Sequence, residues 1–138
     1  MNSRLDTLQA AILLAKLPAL PEELAARRKT AREYGERLRQ DFFVPETPSG
    51  FNSSWAIYTI RSRRGPRKEY LQKLADNDVP SAIYYGRPLH LQPAFAQLDG
   101  REGQFPVAEQ YSQSVFSLPM HAYLTTEDVD RVVEALLR

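Results

Sequence analysis

Residues 3–17 impose the hardest condition on any fold this chain can adopt. Leu5, Leu8, Ile12 and Ala15 recur at helical spacing and form one stripe, which Ala11, Leu13 and Leu14 widen around much of the circumference. Ser3 has the chemistry of an N-cap, with Asp6 at its N3 position. A helix this apolar must be covered on more than one side, because a surface helix keeps a polar face toward water. It starts at about the third residue, without the loosely held residues that often precede a domain, and so reads as a chain cut at a structural boundary. Its most apolar run, residues 10–15, is far below the roughly 20 residues a membrane helix needs. Nothing before it has the charged-then-apolar pattern of a signal peptide.

The remainder predicts a compact mixed fold. Pro18 and Pro21 break the first pattern, and a second helix runs from Pro21 to about Arg39, with Glu22 and Glu23 complementing its dipole. Its stripe of Leu20, Leu24, Ala31, Tyr34 and Leu38 is narrow, so it predicts a solvent-facing helix braced by the four-apart pairs Glu23–Arg27 and Glu33–Arg37. Prolines, glycine and asparagine make residues 43–53 a loop, and residues 55–60 the clearest strand. Gly65-Pro66 opens a helix to about Ala75 that turns Tyr70, Leu71 and Leu74 inward. Residues 79–85 read as a strand, 86–95 as irregular, 106–114 as a short helix and 115–118 as a strand stopped by Pro119. In the last helix Thr125 and Asp128 form a capping box, and Val129, Val132, Val133, Leu136 and Leu137 one apolar face. Helices followed by strands interleaved with helices predict a two-layer α+β domain with a small sheet.

Composition excludes several functions. The 138 residues suit one domain, and 43% hydrophobic with 25% charged content is that of a soluble globular protein. A net charge of +1 lacks the basic excess of a dedicated nucleic-acid binder. Absence of cysteine removes disulfides, thiol nucleophiles and sulfur-built zinc sites, and two histidines cannot make a three-histidine metal site. The cytoplasm is the default compartment.

Few residues stand out chemically. Arg61, Arg63, Arg64, Arg67 and Lys68 crowd five cations into eight residues, either for phosphate or nucleic-acid contact or as a solvated turn. No aromatic residue interleaves them, which favours the turn. His90 follows Tyr84-Tyr85 in a proline-stiffened loop past a strand, where a rigid scaffold can present a site. His121 reads as structural, and Gly100 with Gly103 as a flexible turn. The glycines form no dinucleotide or phosphate-binding loop, and no Gly-x-Ser-x-Gly elbow occurs.

Three segments together carry a resemblance. Asn2-Ser3-Arg4-Leu5-Asp6-Thr7-Leu8-Gln9-Ala10-Ala11 resembles the opening of the C-terminal region of DegT/DnrJ/StrS-type sugar aminotransferases. So do Val79-Pro80-Ser81-Ala82-Ile83-Tyr84-Tyr85 with Pro88-Leu89-His90-Leu91-Gln92-Pro93-Ala94-Phe95, and Phe105-Pro106-Val107-Ala108-Glu109 leading to Ser117-Leu118-Pro119-Met120-His121. Order and spacing fit over essentially the whole chain. Within the family it is most similar to enzymes that aminate the 3-keto group of a UDP-linked N-acetylhexosaminuronic acid, the UDP-2-acetamido-2-deoxy-3-oxo-glucuronate aminotransferases.

That resemblance implies the aspartate-aminotransferase fold, of which residues 1–138 would be the C-terminal small domain. It would have a small, mostly antiparallel sheet with helices packed on one side, and residues 1–40 would link it to a large cofactor-binding domain. The partners covering the first helix would then be that domain and a second subunit. The implied cofactor is pyridoxal 5'-phosphate, which takes an amino group from a donor such as glutamate and passes it to a keto sugar nucleotide, for cell-surface polysaccharide or related glycans. The Schiff-base lysine and the aspartate facing the pyridine nitrogen would lie upstream. Lys16, Lys29, Lys68 and Lys73 lack the family's lysine motif, so the chain alone is expected to be inactive. Asn2 matches the asparagine that reaches across a homodimer interface to the partner's cofactor phosphate, and Arg4 an arginine nearby. Tyr84 and Tyr85 align with a sugar-contacting pair in which relatives often place histidine first, and His90 with a substrate-loop residue. Arg87, in a Gly86-Arg87 pair that replaces a proline-containing one, suits an anionic substrate group. The other class open is a stand-alone, non-catalytic small domain that dimerises or binds sugar nucleotides.

Overall fold

The computed structural model describes residues 4–138, so Ser3 and Asn2 lie outside the described residues. The first helix, α1, spans Thr7–Lys16 and begins later than Ser3 would have it. Its cap is Asp6, extended at φ −80° and ψ 166°, whose carboxylate accepts from the Gln9 amide at 2.8 Å. A carboxylate caps more strongly in this geometry than it serves at N3, which moves the start to Thr7. A single 3-10 turn at Leu17–Ala19 carries the chain directly into α2, Leu20–Leu38. Pro18 and Pro21 sit in the first turns of these two segments, where a missing N–H breaks no bond, so the prolines redirect the chain without a loop.

α2 is not a simple surface helix. Its second half buries Thr30, Ala31, Tyr34, Gly35 and Leu38. Neither expected four-apart pair forms, because these side chains find other partners. Arg37 meets Asp130 at 2.6 Å, Glu23 accepts from the Tyr123 hydroxyl at 2.7 Å, and Glu33 faces Lys29 at 3.8 Å.

Three antiparallel strands follow in the order β1-β2-β3: β1 is Phe42–Phe43, β2 Tyr58–Ser62 and β3 Val115–Leu118. β2 starts three residues later than the aromatic run predicts. Trp55 lies at φ 49°, a region a bulky side chain seldom occupies, and this bend ends the extended backbone before it. Residues 79–85 do not form a strand. Only Ala82 bridges to Ser117, through N···O contacts of 2.7 and 3.2 Å, since Pro80 has no N–H to give and the chain turns away at Tyr84. The helices α3 (Arg67–Asp76), α4 (Pro106–Ser114) and α5 (Thr126–Leu137) complete the fold, with 3-10 turns at Leu89–Leu91 and Pro93–Leu98.

The register decides where the core lies. Tyr58 faces Leu118 and Ile60 faces Phe116, so all four project to one side of the sheet. There they meet Tyr34 and Leu38 of α2, Leu74 of α3, and Val129, Val132, Val133 and Leu136 of α5. Phe42 packs edge-on against Tyr70 and Phe116 at 5.0 and 6.3 Å between ring centres. The Tyr34 hydroxyl donates to the Pro119 carbonyl at 3.2 Å, and burial raises its pKa. Burial likewise pushes Tyr58 up to about 12. α5 carries the expected capping box, in which the Thr125 amide and hydroxyl hold the Asp128 carboxyl below its usual range. Leu137 is exposed, and Ala135 is buried in its stead.

This is the expected two-layer α+β arrangement, with α2, α3 and α5 on one face. α1 stands apart from it. It buries none of its residues, with Leu8 at 73% and Leu14 at 71% exposure, so within the described residues its apolar surface is uncovered. Denaturant unfolding should therefore separate the two regions. Phe116→Ala is expected to cost about 3–5 kcal/mol, and Leu14→Ala to stay within about 0.5 kcal/mol.

Candidate functional site

The sheet face away from the core carries the candidate site. Alternation sends Thr59 and Arg61 of β2, and Val115 and Ser117 of β3, to that side. The Thr59 and Ser117 hydroxyls lie 2.7 Å apart. Residues 84–92 and α4 rise around this surface and enclose a hollow of about 500 Å3, whose lining includes Thr59, Tyr84, Tyr85, Arg87, Gln92 and Tyr111. Tyr84 also borders a smaller hollow of about 240 Å3, which Ala82 and Ser117 help to line. The Tyr84–Tyr85 peptide is cis, and the two rings meet edge to face at 5.9 Å. Gln92 Nε2 donates to the Arg87 carbonyl at 3.0 Å, closing the turn that presents Arg87.

Chemically, this surface offers hydrogen-bonding groups and few that titrate. It has three phenols, two hydroxyls and an amide, with Arg87 as the one charged side chain among its described lining residues. Phenols and hydroxyls suit a polyol, and a guanidinium suits a carboxylate or phosphate. No carboxylate, imidazole or amine lines it to move a proton.

The six sequence candidates thus separate. Tyr84, Tyr85 and Arg87 come together at one hollow. Arg4 is exposed ahead of α1 and does not line it, and Asn2 lies outside the described residues. His90 does not line it either. Its Nε2 is 3.0 Å from Glu109 Oε1, its ring lies edge-on to Phe105 at 4.8 Å, and its side chain is 13% exposed. Glu109 also accepts from the Gly103 amide at 2.8 and 3.0 Å and from the Phe105 amide at 3.1 Å. These amides, chiefly that of Gly103, hold its carboxyl below the usual range, with His90 adding to the effect.

The turn expected to be flexible at Gly100 is in fact packed. A Cβ on Gly100 would lie 2.2 Å from the His90 carbonyl oxygen. Sequence reasoning passed over Glu109. The available signal was a carboxylate in the first turn of a helix opened by Pro106, where loop amides gather.

The basic cluster is used locally. The Arg61 and Arg63 guanidiniums each lie 3.9 Å from the centre of the Phe43 ring, so space supplies the aromatic residue missing from the sequence run. Arg64 meets Asp41 at 3.1 Å, and Arg67 donates to the Ser112 and Val115 carbonyls at 2.7 and 3.1 Å. His121 accepts from the Tyr123 amide through Nδ1 at 3.2 Å.

Comparison with known proteins decides the family. Residues 1–137 match the DegT/DnrJ/EryC1/StrS aminotransferase family. The chain belongs to it. The chain is 41% identical over 137 residues to the UDP-2-acetamido-2-deoxy-3-oxo-D-glucuronate aminotransferase of Pseudomonas aeruginosa, covering 99% of this chain and 37% of that protein. It is 39% identical over 139 residues to a protein of Geobacillus stearothermophilus named as a pleiotropic regulatory protein, covering 98% and 37%. The crystal structure of a DegT DnrJ EryC1 StrS aminotransferase from Brucella abortus superposes with a TM-score of 0.89 at 43% identity, covering 99% of this chain and 36% of that one. This DegT-family chain therefore spans a little over a third of the length of the relatives it matches.

Two expectations follow from the Glu109 cluster. Because folding lowers the Glu109 pKa, its bonds stabilise the turn fully above the ordinary glutamate range and are lost as pH falls through the lowered value. Amide shifts of Gly103 and Phe105 followed by NMR should titrate with a midpoint below that of an unperturbed glutamate. Gly100→Ala should force the turn off residue 90, and nuclear Overhauser contacts between the His90 and Phe105 rings should then weaken or vanish.

Proposed function

We propose that this chain is the C-terminal small domain of a pyridoxal-phosphate-dependent aminotransferase that moves an amino group from an amino acid, such as glutamate, to the keto group of a nucleotide-linked sugar. The observation that carries the reading is the family match along nearly all of this chain, against only 36–37% of the relatives' lengths. The uncovered leucines of α1 support it, because they give residues 1–40 a surface with which to join a large domain and a second subunit. The working form would be a cytoplasmic homodimer serving cell-surface polysaccharide or related glycan synthesis. Among the described residues, no helix is long and apolar enough to cross a membrane.

The cofactor site would lie mainly outside this chain. Lys16, Lys29 and Lys68 are exposed, Lys73 places its Nζ 5.6 Å from the centre of the Tyr70 ring, and none of the four lines the hollow. The described residues thus do not by themselves fit pyridoxal phosphate, and no step of the transfer is assigned to them. The chain's own part would be to bind. Tyr84 and Tyr85 would present hydroxyls and ring faces to the sugar, Arg87 would hold an anionic group such as a uronate carboxylate, and His90 would belong to the substrate loop. Asn2 and Arg4 would approach the cofactor phosphate across the dimer interface.

The test is to express the complete reading frame and follow amination of a nucleotide-linked 3-keto sugar with glutamate as donor. Loss of a charged hydrogen bond in Arg87→Ala is expected to raise KM about 10–100-fold for a uronate substrate and much less for a neutral sugar. The 138-residue chain by itself should form no yellow, borohydride-reducible adduct with the cofactor. A stoichiometric adduct on one of its lysines, or no transaminase activity in the complete protein, would overturn the reading.

A further inference from the structure

The wall of the hollow has little support of its own, and one carboxylate outside it supplies what it lacks. None of residues 84–99, which include Tyr84, Tyr85, Arg87 and Gln92, is buried. They form no strand and no α-helix. Their backbone bonds close short turns only, such as Leu91 N to Pro88 O at 3.0 Å and Gln92 N to Leu89 O at 3.1 Å. Among the described residues, one hydrogen bond made by residues 83–98 reaches a distant part of the chain, and that is His90 Nε2 to Glu109 Oε1 at 3.0 Å. A segment with neither core burial nor ladder bonds opens with little resistance. Its placement then rests on the few contacts that leave it.

Glu109 is well built for such a duty. It stands on α4, which also lends Tyr111 and Ser112 to the hollow, so it is fixed to the opposite wall. One carboxylate there receives His90 Nε2 and the amides of Gly103 and Phe105, which are charge-assisted bonds and stronger than neutral ones. Gly100 seats the returning loop directly against the His90 carbonyl, where any side chain would collide. Both ends of the segment are thereby secured. The Ala82–Ser117 bridge fixes its start, and the His90–Glu109 contact fixes it beyond Arg87. Glu109 does not line the hollow and its oxygens are engaged by donors, so it acts on a ligand only through the wall.

We propose that Glu109 is a positioning residue for the hollow, holding the 87–92 wall, and with it Arg87 and Gln92, against α4 through His90 and the amides of Gly103 and Phe105. The functional side of this rests on the hollow being the substrate surface of the aminotransferase reading, while the mechanical side stands on this chain alone.

The test has an arm for each. In the 138-residue chain, backbone order parameters at residues 87–92 should fall in Glu109→Ala from the rigid range of about 0.85 toward less than about 0.6, with those of Ile60 and Phe116 unchanged. Glu109→Gln keeps one oxygen for His90 and Phe105 but turns an N–H toward the Gly103 amide, and should fall between the two. Unchanged order at residues 87–92 in Glu109→Ala would overturn the proposal, even where Gly103 and Phe105 loosen. In the complete enzyme, Glu109→Ala should raise KM for the keto sugar nucleotide about tenfold with kcat within about twofold. A fall in kcat at unchanged KM would overturn the positioning role. A wild-type complete protein without transaminase activity would sink the functional reading instead, and the order parameters would still decide the proposal.

Discussion

The pairing register of β2 with β3 is the constraint on which the rest depends. Because side chains alternate across a strand, setting Tyr58 against Leu118 and Ile60 against Phe116 fixes which residues meet the helices and which meet the hollow. A slip of β3 by one residue would turn Ser117 toward the apolar core and Phe116 out toward the hollow, opposite an unmoved Thr59. β3 tolerates no such error, since all four of its residues are buried and each serves a face. The aromatic packing of Phe42, Tyr70 and Phe116 on one side, and the Thr59–Ser117 hydroxyl contact on the other, follow from this single alignment.

The parts of this fold legible in the sequence are those set by local chemistry. The Thr125–Asp128 box, the bounds of α4 and β3, and the inward face of α3 are written in short patterns that tertiary structure had no reason to override. Several misreadings are places where a group on another element prevailed. β-branched and aromatic residues predict a strand from Trp55, but Trp55 takes a left-handed bend at φ 49°, with its ring 5.5 Å from that of Tyr58. Residues 79–85 look like a strand, yet Val79 goes to the core and one bridge to Ser117 is all the sheet takes of the segment. The α2 ion pairs gave way because α5 and the 119–125 loop bring Asp130 and Tyr123 within reach.

The candidate site was legible in one respect and opaque in another. Tyr84, Tyr85 and Arg87 are neighbours in sequence, and a proline-stiffened loop keeps neighbours together, so their meeting at one hollow needed no long-range knowledge. The separation of His90 from that hollow, only three residues past Arg87, was not readable. It depends on a carboxylate 19 positions further on. The same holds for Gly100, whose necessity is visible only once the His90 carbonyl is found beneath it. The geometry separates Tyr84, Tyr85 and Arg87, which line the hollow, from His90 and Glu109, which meet each other outside it.

α1 is a finished object before anything covers it. Asp6 caps one end, and the proline-bearing 3-10 turn splices the other to α2, whose far half is sunk in the core. A neighbour that docks there need not fold the helix or choose its direction. Such an association would be pre-organised in the sense familiar from rigidified ligands, with little ordering entropy set against the roughly 25 cal/mol gained for each Å2 of leucine surface withdrawn from water.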